Sequence, residues 1–215
     1  MDHQLDLLHP APLPSFQTIQ ADGLALRSWP SWLEDADRWL ALLLEQVPWK
    51  QDQITLFGRT HPLPRLTCWM GDPGCHYTYS GVRNPIEAWS PAVQELKDRV
   101  ETAVGCRFNS LLLNLYRNGD DKLDWHADDE PELAAEAPIA SLSLGASRCF
   151  RLKPRRAGEE RETPLSLELG HGDLLVMDPP TQRHWLHQVP ARRRVQKPRV
   201  NLTFRVIRAE VLRHV

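Results

Sequence analysis

A short run near the middle of the chain, Trp125-His126-Ala127-Asp128, combines an imidazole with a carboxylate two residues further on. In a β-strand, residues i and i+2 project from the same face, so His126 and Asp128 would reach a common metal ion. One more histidine would complete a set of two histidines and one carboxylate, which is typical of non-haem Fe(II) oxygenases. The His-x-Asp spacing alone is weak support, because it occurs by chance in many chains.

Three histidines downstream are candidates for the third ligand. His171 lies in a glycine-flanked turn, whereas His184 and His187 flank the apolar pair Trp185-Leu186. The alternative interpretation is that these histidines lie on a hydrogen-bonded surface strand. The local sequence does not choose between His171, His184 and His187.

Near the end of the chain, the run 199–205 alternates polar and apolar residues. As a strand it places the apolar residues on one face and, on the other, Arg199, Asn201, Thr203 and Arg205. An ordinary surface strand with a solvated polar face would show the same pattern. If the polar face lines a barrel interior instead, its two arginines need anions. The guanidinium fork suits the two carboxylates of one short diacid.

The elements that must position these residues are two helices and a β-rich C-terminal half. Ser31 is a candidate N-cap for a helix that runs to about Gln46. Ser90-Pro91 begins a second helix, which Gly105 ends. The fold class is therefore mainly β with flanking helices (α+β). Eight short strands are predicted, over residues 108–116, 124–128, 139–144, 148–152, 165–169, 173–177, 184–189 and 199–207.

The N-terminal half is predicted to be less regular. Residues 1–30 are rich in proline and indicate an extended arm, with at most a short strand at 24–26. A strand and a turn at Gly58 are predicted over residues 53–60. Residues 61–81 indicate an irregular loop with a short strand around 75–79. No linker is visible, so residues 31–215 are predicted to form a single domain.

Composition excludes several classes of protein. The 215 residues are 41% hydrophobic and 25% charged, enough to bury a core without disulfides. The longest apolar runs are far shorter than the roughly 20 residues of a membrane span. No secretory signal is visible, which predicts a cytoplasmic protein, and the four cysteines without a CxxC pair are expected to be reduced.

The charge is unevenly distributed along the chain. Residues 1–147 hold 11 basic and 21 acidic residues, a net charge of −10, whereas residues 148–215 hold 15 and 7, a net charge of +8. A basic half could meet a phosphate backbone, or the two halves could neutralise each other in one fold.

Taken together, these motifs resemble the AlkB family of Fe(II)/2-oxoglutarate-dependent dioxygenases, and most closely its DNA-repair branch. The resemblance covers about residues 50–207, with order and spacing in agreement. The residues that carry it are Asn114-Leu115-Tyr116, His126-Ala127-Asp128-Asp129-Glu130, 138–145, 172–177, His184-Trp185-Leu186-His187 and 198–205.

The resemblance implies a double-stranded β-helix, or jelly-roll, core over about residues 108–207, in agreement with the strand count. It implies that Fe(II) is held by His126, Asp128 and His187. It also implies a site for 2-oxoglutarate, with Arg199 on the far carboxylate and Arg205 near the iron-chelating end. The full set implied for this cosubstrate is Asn114, Tyr116, Arg199, Asn201, Thr203 and Arg205.

The reaction implied is oxidative demethylation of N-alkylated bases such as 1-methyladenine and 3-methylcytosine in DNA. O₂ and 2-oxoglutarate are consumed, succinate and CO₂ are formed, and the hydroxylated methyl group leaves as formaldehyde. The alternatives are the same chemistry on RNA, nucleotides or a protein side chain, or a non-catalytic nucleic-acid-binding module on the same barrel. A monomer without a membrane partner is expected.

The resemblance also implies a nucleotide-recognition segment at about residues 50–83. Phe57, beside Gly58, would insert into the stack left by an everted base, although it could equally be a core residue. Tyr77 and Tyr79 would line the lesion pocket, or simply alternate along a half-buried strand. Glu130 is the carboxylate expected to face the alkylated base and to act in catalysis. Otherwise it is one of several acidic loop residues.

A basic run that follows His187 in the sequence is the last candidate. A solvated loop is the ordinary interpretation of such a run, but the resemblance and the basic C-terminal half favour phosphate contact. The run comprises Arg192, Arg193, Arg194 and Lys197.

Replacing Phe57 by alanine tests the wedge. Flipping a paired base costs a few kcal/mol, and a single strand has much less stacking to lose. Phe57→Ala should therefore slow repair in duplex DNA much more than in single strands, with melting temperature unchanged. A core phenylalanine would instead lose about 3–5 kcal/mol of stability and activity on both substrates. Repair rates on matched single- and double-stranded oligonucleotides, measured beside thermal unfolding, distinguish the two.

Overall fold

The computed structural model describes residues 16–56, 59–75, 78–79, 82–83, 86–155 and 164–208. Three helices lie in these ranges: α1 (Ala36–Gln46), α2 (Pro91–Val104) and α3 (Thr181–His184). The strands of the N-terminal half are β1 (Gln17–Ala21), β2 (Leu24–Trp29), β3 (Gln53–Leu56), β4 (Arg59–Pro62), β5 (Leu66–Gly71), β6 (Thr78–Tyr79) and β7 (Val82–Arg83). Those that follow are β8 (Ser110–Tyr116), β9 (Leu123–His126), β10 (Ile139–Gly145), β11 (Arg148–Pro154), β12 (Leu165–Leu169), β13 (Asp173–Met177), β14 (Trp185–Val189) and β15 (Arg199–Arg205).

Two antiparallel sheets form the core. The major sheet has seven strands in the order β1-β2-β13-β10-β15-β8-β5, and the minor sheet has four in the order β12-β11-β14-β9. β3 pairs with β4, and β6 with β7, as separate hairpins. The eight strands β8 to β15 are those predicted from the sequence, divided four and four between the sheets. This is the predicted jelly-roll arrangement, and the candidate site lies between its two sheets.

The two long helices cover the outer face of the major sheet. The apolar residues of β15 belong to the same buried cluster as Trp39 of α1 and Val93 of α2. As predicted, Ser90 caps α2, because its Oγ accepts a hydrogen bond from the backbone N–H of Val93. The apolar side of β15 therefore faces the helices, and its polar side must face the barrel interior.

The start of α1 differs from the prediction. The helix begins at Ala36, with Asp35 at the N-cap, so Ser31 is not its cap. The backbone N–H of Ser31 instead donates to Asp173 Oδ1 at 2.7 Å. Ser31 is thus hydrogen-bonded to a residue 142 positions away, and the local sequence could not show this contact.

The N-terminal segment also differs from an extended arm. From Gln17 onward it forms the β1–β2 hairpin, and β2 pairs with β13 of the major sheet. Hydrogen bonds with Thr181 tie both the backbone N–H and the carbonyl of Ala25 to the start of α3. The extended arm predicted for residues 1–30 is therefore wrong for residues 17–29, which belong to the sheet, whereas the short strand expected at 24–26 lies within β2.

The segment predicted as an irregular loop contains a core strand. β5 pairs with β8 over its whole length and is buried from Thr67 to Gly71. Its sequence, LTCWMG, shows no period-2 alternation that would distinguish it from its surroundings. The short strand expected around residues 75–79 is limited to β6.

Two further predictions, on the cysteines and on membrane spans, can be compared with the described residues. All four cysteines are free, as expected. Within the described part of the chain, no helix is both long and apolar enough to cross a lipid bilayer.

Candidate active site

A cavity lies between the two sheets, and the motif residues named in the sequence meet there. We call it the barrel cavity. It is lined on one side by β8 and β15 of the major sheet, and on the other by β14 and the end of β9. Predicted site residues that line it are Asn114, Tyr116, His126, Asp128, Glu130, His187, Arg199, Asn201, Thr203 and Arg205.

His126, Asp128 and His187 form a compact group, which we call the metal triad. Their ligand atoms all lie within 4.8 Å of one another. His126 ends β9 and is the register partner of His187 on β14, so the antiparallel pairing itself sets the two rings 4.1 Å apart. Two imidazoles and one carboxylate on one side of a cavity fit the facial ligand set of Fe(II) oxygenases.

The other two candidate histidines lie outside this group. His171 Nδ1 accepts a hydrogen bond from the backbone N–H of Gly145 at 2.8 Å, and its Nε2 lies 3.3 Å from Asp37 Oδ1. His184 ends α3 and packs against the hairpin turn at Gly23. Geometry therefore favours His187 among the three histidines that the local sequence left open.

The protonation of the triad suits metal binding. Burial, followed by the nearby His126, lowers the pKa of His187 to about 3, so its imidazole is neutral. Burial opposes ionisation of Asp128, but the positive charge of Arg205, which also donates a hydrogen bond to it, outweighs burial and holds the pKa of this carboxyl well below its usual range. His126 Nδ1 donates to the carbonyl oxygen of Asp124 at 2.9 Å, which leaves Nε2 as the ligand atom.

Two contacts hold Asp128 in place. Arg205 Nη2 donates to Asp128 Oδ1 at 2.7 Å, and both side chains are buried. The backbone N–H of Asp128 donates to Gln182 Oε1 at 3.0 Å. Gln182 was not singled out in the sequence, because it contacts Asp128 only through the fold, 54 positions away.

Arg199 is a buried cation that forms no ion pair with any described carboxylate. Only 2% of the residue is exposed, and its Nη2 donates to Ser143 Oγ at 2.9 Å. Its Nε and Nη1 have no hydrogen-bond partner among the described residues. Burial lowers the pKa of Arg199. Unused donors of a buried guanidinium indicate that a carboxylate ligand belongs here.

The rest of the polar face of β15 is buried as well, so the solvated-strand interpretation is wrong. Asn201 Nδ2 donates to Ser141 Oγ and to the carbonyl of Leu142, and Asn201 Oδ1 accepts from Thr203. These two side chains thus bond to the barrel wall itself. On this strand, the donors that face the barrel cavity belong to Arg199 and Arg205, which flank Asn201 and Thr203.

The residues predicted to contact the base are only partly described. Glu130 lines the barrel cavity and is half-buried. Phe57, Gly58 and Tyr77 lie outside the described residues, and for Tyr79 only the backbone of β6 is described. Their roles stay predictions.

A jelly-roll barrel that encloses two histidines, a carboxylate and a buried arginine short of an anion defines the class of Fe(II) and 2-oxo-acid oxygenases. Comparison with known families agrees. The family model described as the 2OG-Fe(II) oxygenase superfamily matches residues 26–205. The chain belongs to this superfamily and, within it, to the AlkB family.

Curated relatives support the narrower assignment. The chain is 44% identical over 181 residues to human "Alpha-ketoglutarate-dependent dioxygenase alkB homolog 3", a match that covers 81% of this chain and 63% of that protein. It is 45% identical over 159 residues to "DNA oxidative demethylase ALKBH2" of Mus musculus, covering 72% of this chain and 66% of the relative. The chain thus spans less than two thirds of the length of either relative.

A solved structure, "The structure of OsALKBH1", has the same fold. It matches with a TM-score of 0.63 and 16% sequence identity, and covers 89% of this chain and 100% of that chain. The predicted AlkB resemblance and the jelly-roll fold are confirmed, and the expected Fe(II) and 2-oxoglutarate are those named in the description of the superfamily to which the chain belongs.

Alanine at each position of the metal triad tests the ligand set. Loss of one of three protein ligands from an open site should abolish Fe(II) retention and turnover of 2-oxoglutarate. His184→Ala is the matched control, since it removes an imidazole only three residues from His187. Iron content after desalting and succinate formation are the measurements. Normal activity of His187→Ala together with an inactive His184→Ala or His171→Ala would contradict the assignment.

Proposed function

We propose that this chain removes N-methyl groups from alkylated bases in DNA, such as 1-methyladenine and 3-methylcytosine, by oxidation that releases formaldehyde. One observation carries the proposal. The metal triad and a buried arginine without an anion face the same cavity, in a chain similar to proteins named as DNA oxidative demethylases.

The proposed role of the metal triad is to hold iron. When bound, Fe(II), 2-oxoglutarate and O₂ supply the oxidising power that hydroxylates an N-methyl group, which then leaves as formaldehyde. The chain supplies a neutral His187, a His126 whose tautomer is fixed by Asp124, and a carboxylate kept ionised by Arg205. These are the states in which the three side chains bind a divalent metal.

The proposed cosubstrate site lies along β8 and β15. Arg199 and Tyr116 are register partners on the two strands, and the guanidinium lies over the tyrosine ring, 5.2 Å from its centroid. We assign Arg199 to the far carboxylate of 2-oxoglutarate, with Tyr116 beside it. Asn114 is the next inward-facing residue of β8, one residue pair closer to the Arg205 end of the two strands. Arg205, at the opposite end of β15, is committed to Asp128 and contributes its charge near the iron.

Glu130 is the proposed partner of the alkylated base. It follows the metal ligand Asp128 by two residues and lines the barrel cavity with it. Alkylation gives a base such as 1-methyladenine a positive charge, and a carboxylate beside the iron would favour that charged form over a normal, neutral base. Its neighbour Asp129 is paired with Arg155 and so is less available for this role.

Contacts to the nucleic acid itself are proposed for the β3–β4 hairpin and the basic run. All four residues of β4 are exposed, as a hairpin that reaches toward a ligand requires. We retain Phe57 as the wedge, and Tyr77 and Tyr79 as the wall of the lesion pocket. In the basic run, Arg192 is paired with Glu168 and Arg193 lies 3.9 Å from Asp120, so Arg194 and Lys197 are the better candidates for phosphate contact.

Arg199→Ala tests the cosubstrate site. It removes a charge-assisted hydrogen-bonded pair worth about 1.5–3 kcal/mol, so the KM for 2-oxoglutarate should rise roughly 10- to 150-fold. Fe(II) retention should be unchanged, because Arg199 does not touch the metal triad. Arg27→Ala, which removes a guanidinium that does not line the barrel cavity, is the control. Succinate formation at varied 2-oxoglutarate gives the KM, and an unaltered value would contradict the assignment.

The substrate is tested with oligonucleotides that carry one 1-methyladenine or 3-methylcytosine, each as DNA and as RNA. Mass spectrometry should show loss of the methyl group from DNA, in step with formaldehyde release, and only with Fe(II) and 2-oxoglutarate present. Asp128→Ala is the inactive control. Demethylation of RNA alone, or 2-oxoglutarate turnover without change in either nucleic acid, would reject the DNA substrate. No turnover under any condition would support the non-catalytic alternative.

A further inference from the structure

Arg65 is a third buried arginine in the barrel cavity, besides Arg199 and Arg205. It lies directly before β5, is only 4% exposed, and lines the same cavity as the metal triad. No described carboxylate forms an ion pair with it, and its one side-chain hydrogen bond runs from Nε to Asn114 Oδ1 at 2.7 Å. A buried guanidinium bonded to an amide rather than to an acid needs an explanation.

The bond to Arg65 fixes which way the Asn114 amide points. A carboxamide is planar, with its oxygen and its NH₂ group on opposite sides. An arginine side chain can only donate hydrogen bonds, so it binds the amide oxygen Oδ1. If the amide were flipped, its NH₂ group would face the arginine donor and no hydrogen bond could form. With Oδ1 turned to Arg65, Nδ2 turns away from it. No other side-chain hydrogen bond of Asn114 is formed within the described part of the chain.

The register of the sheet places this donor among other donors. Asn114 of β8 pairs with Asn201 of β15, and the next pair facing inward is Tyr116 with Arg199. β5 lies on the other side of β8, with Leu66 opposite Leu115. Arg65, one residue earlier, is therefore level with Tyr116 and Arg199. This end of the barrel cavity presents donors and cations, which suits a dicarboxylate.

The local backbone does not need the Arg65 side chain. The backbone N–H of Arg65 donates to the carbonyl of Leu63, and its carbonyl accepts from Gln51 Nε2. Lys50 and Thr67 form a further backbone bridge beside it. The turn into β5 is thus held by main-chain bonds, so the guanidinium is available for another role.

We propose that Arg65 is a positioning residue for 2-oxoglutarate, because its bond to Asn114 Oδ1 locks the amide with Nδ2 facing the cosubstrate. The inference rests on the proposed cosubstrate role of Asn114. Without Arg65 the amide can turn its oxygen toward a carboxylate of the dianion and repel it. Arg65 thus affects 2-oxoglutarate binding only by orienting the Asn114 amide.

Two replacements of Arg65 separate position from charge. In Arg65→Gln the amide Nε2 stands one bond beyond Cδ, as arginine Nε does, so the donor is kept and the charge is lost. Arg65→Met removes both, with similar side-chain length. Arg65→Lys keeps the charge but moves the donor. The proposal predicts that Arg65→Gln binds 2-oxoglutarate nearly as wild type does, whereas Arg65→Met binds it on the order of ten-fold more weakly.

The measurement is anaerobic titration of 2-oxoglutarate into the Fe(II)-loaded protein, followed by the visible charge-transfer absorption of the chelate, with no turnover required. Thermal unfolding of each variant reports folding. Arg27→Met is the control for loss of a guanidinium outside the barrel cavity. Should Arg65→Met not fold, Arg65→Lys takes its place and is also expected to bind weakly. Unchanged affinity in the variant without the donor would overturn the proposal, as would full recovery by Lys and none by Gln.

A double-mutant cycle with Asn114→Ala tests whether Arg65 acts through Asn114. Adding Arg65→Met to Asn114→Ala should weaken 2-oxoglutarate binding no further. Additive losses would mean that Arg65 acts independently, which contradicts the proposal. Arg199→Ala identifies the other failure. If Arg199→Ala and Asn114→Ala both leave affinity unchanged, the proposed cosubstrate site is wrong. If they weaken it and Arg65→Met does not, only the role of Arg65 is wrong.

Discussion

The ion pair between Arg205 and Asp128 is the contact on which the rest of the site depends. Arg205 belongs to β15 of the major sheet, whereas Asp128 follows β9 of the minor sheet, so the pair joins the two halves of the barrel. Removing one partner of a buried pair costs about 3–5 kcal/mol, because the other charge stays buried alone. The pair therefore links the polar face of β15 to the metal triad.

This arrangement is possible because the amphipathic strand β15 is inverted relative to a surface strand. Val200, Leu202 and Phe204 pack outward into the cluster formed with the two long helices. The polar face is turned inward, where it is bonded to Ser141 and Ser143 of β10. The helices thus stabilise the outer face of a sheet whose inner face carries the residues of the barrel cavity.

How much the sequence could predict depended on how local each signal was. The alternation of residues 199–205 and the cap at Ser90 are set by near neighbours, and the structure has them where the pattern placed them. His126 and Asp128 also meet as the His-x-Asp spacing predicted, although β9 ends at His126 and Asp128 lies beyond the strand. Arg65 and Gln182 were missed because each acquires its meaning from a partner 49 or 54 positions away. The start of α1 was misplaced for the same reason, since Ser31 is bonded to Asp173.

The N-terminal β1–β2 hairpin limits how far the chain can be shortened from its N-terminal end. β2 is the outer neighbour of β13, and the carbonyl of Asp22 accepts a hydrogen bond from Trp185 Nε1, two residues before His187. A protein shortened to residue 31 would have β13 as a bare sheet edge, with unpaired backbone groups that recruit other chains. It would also lose the hydrogen bond between Asp22 and Trp185, two residues from His187 of the metal triad. We therefore expect that residues 17–29 must be retained in any shortened form of the protein that is to remain monomeric.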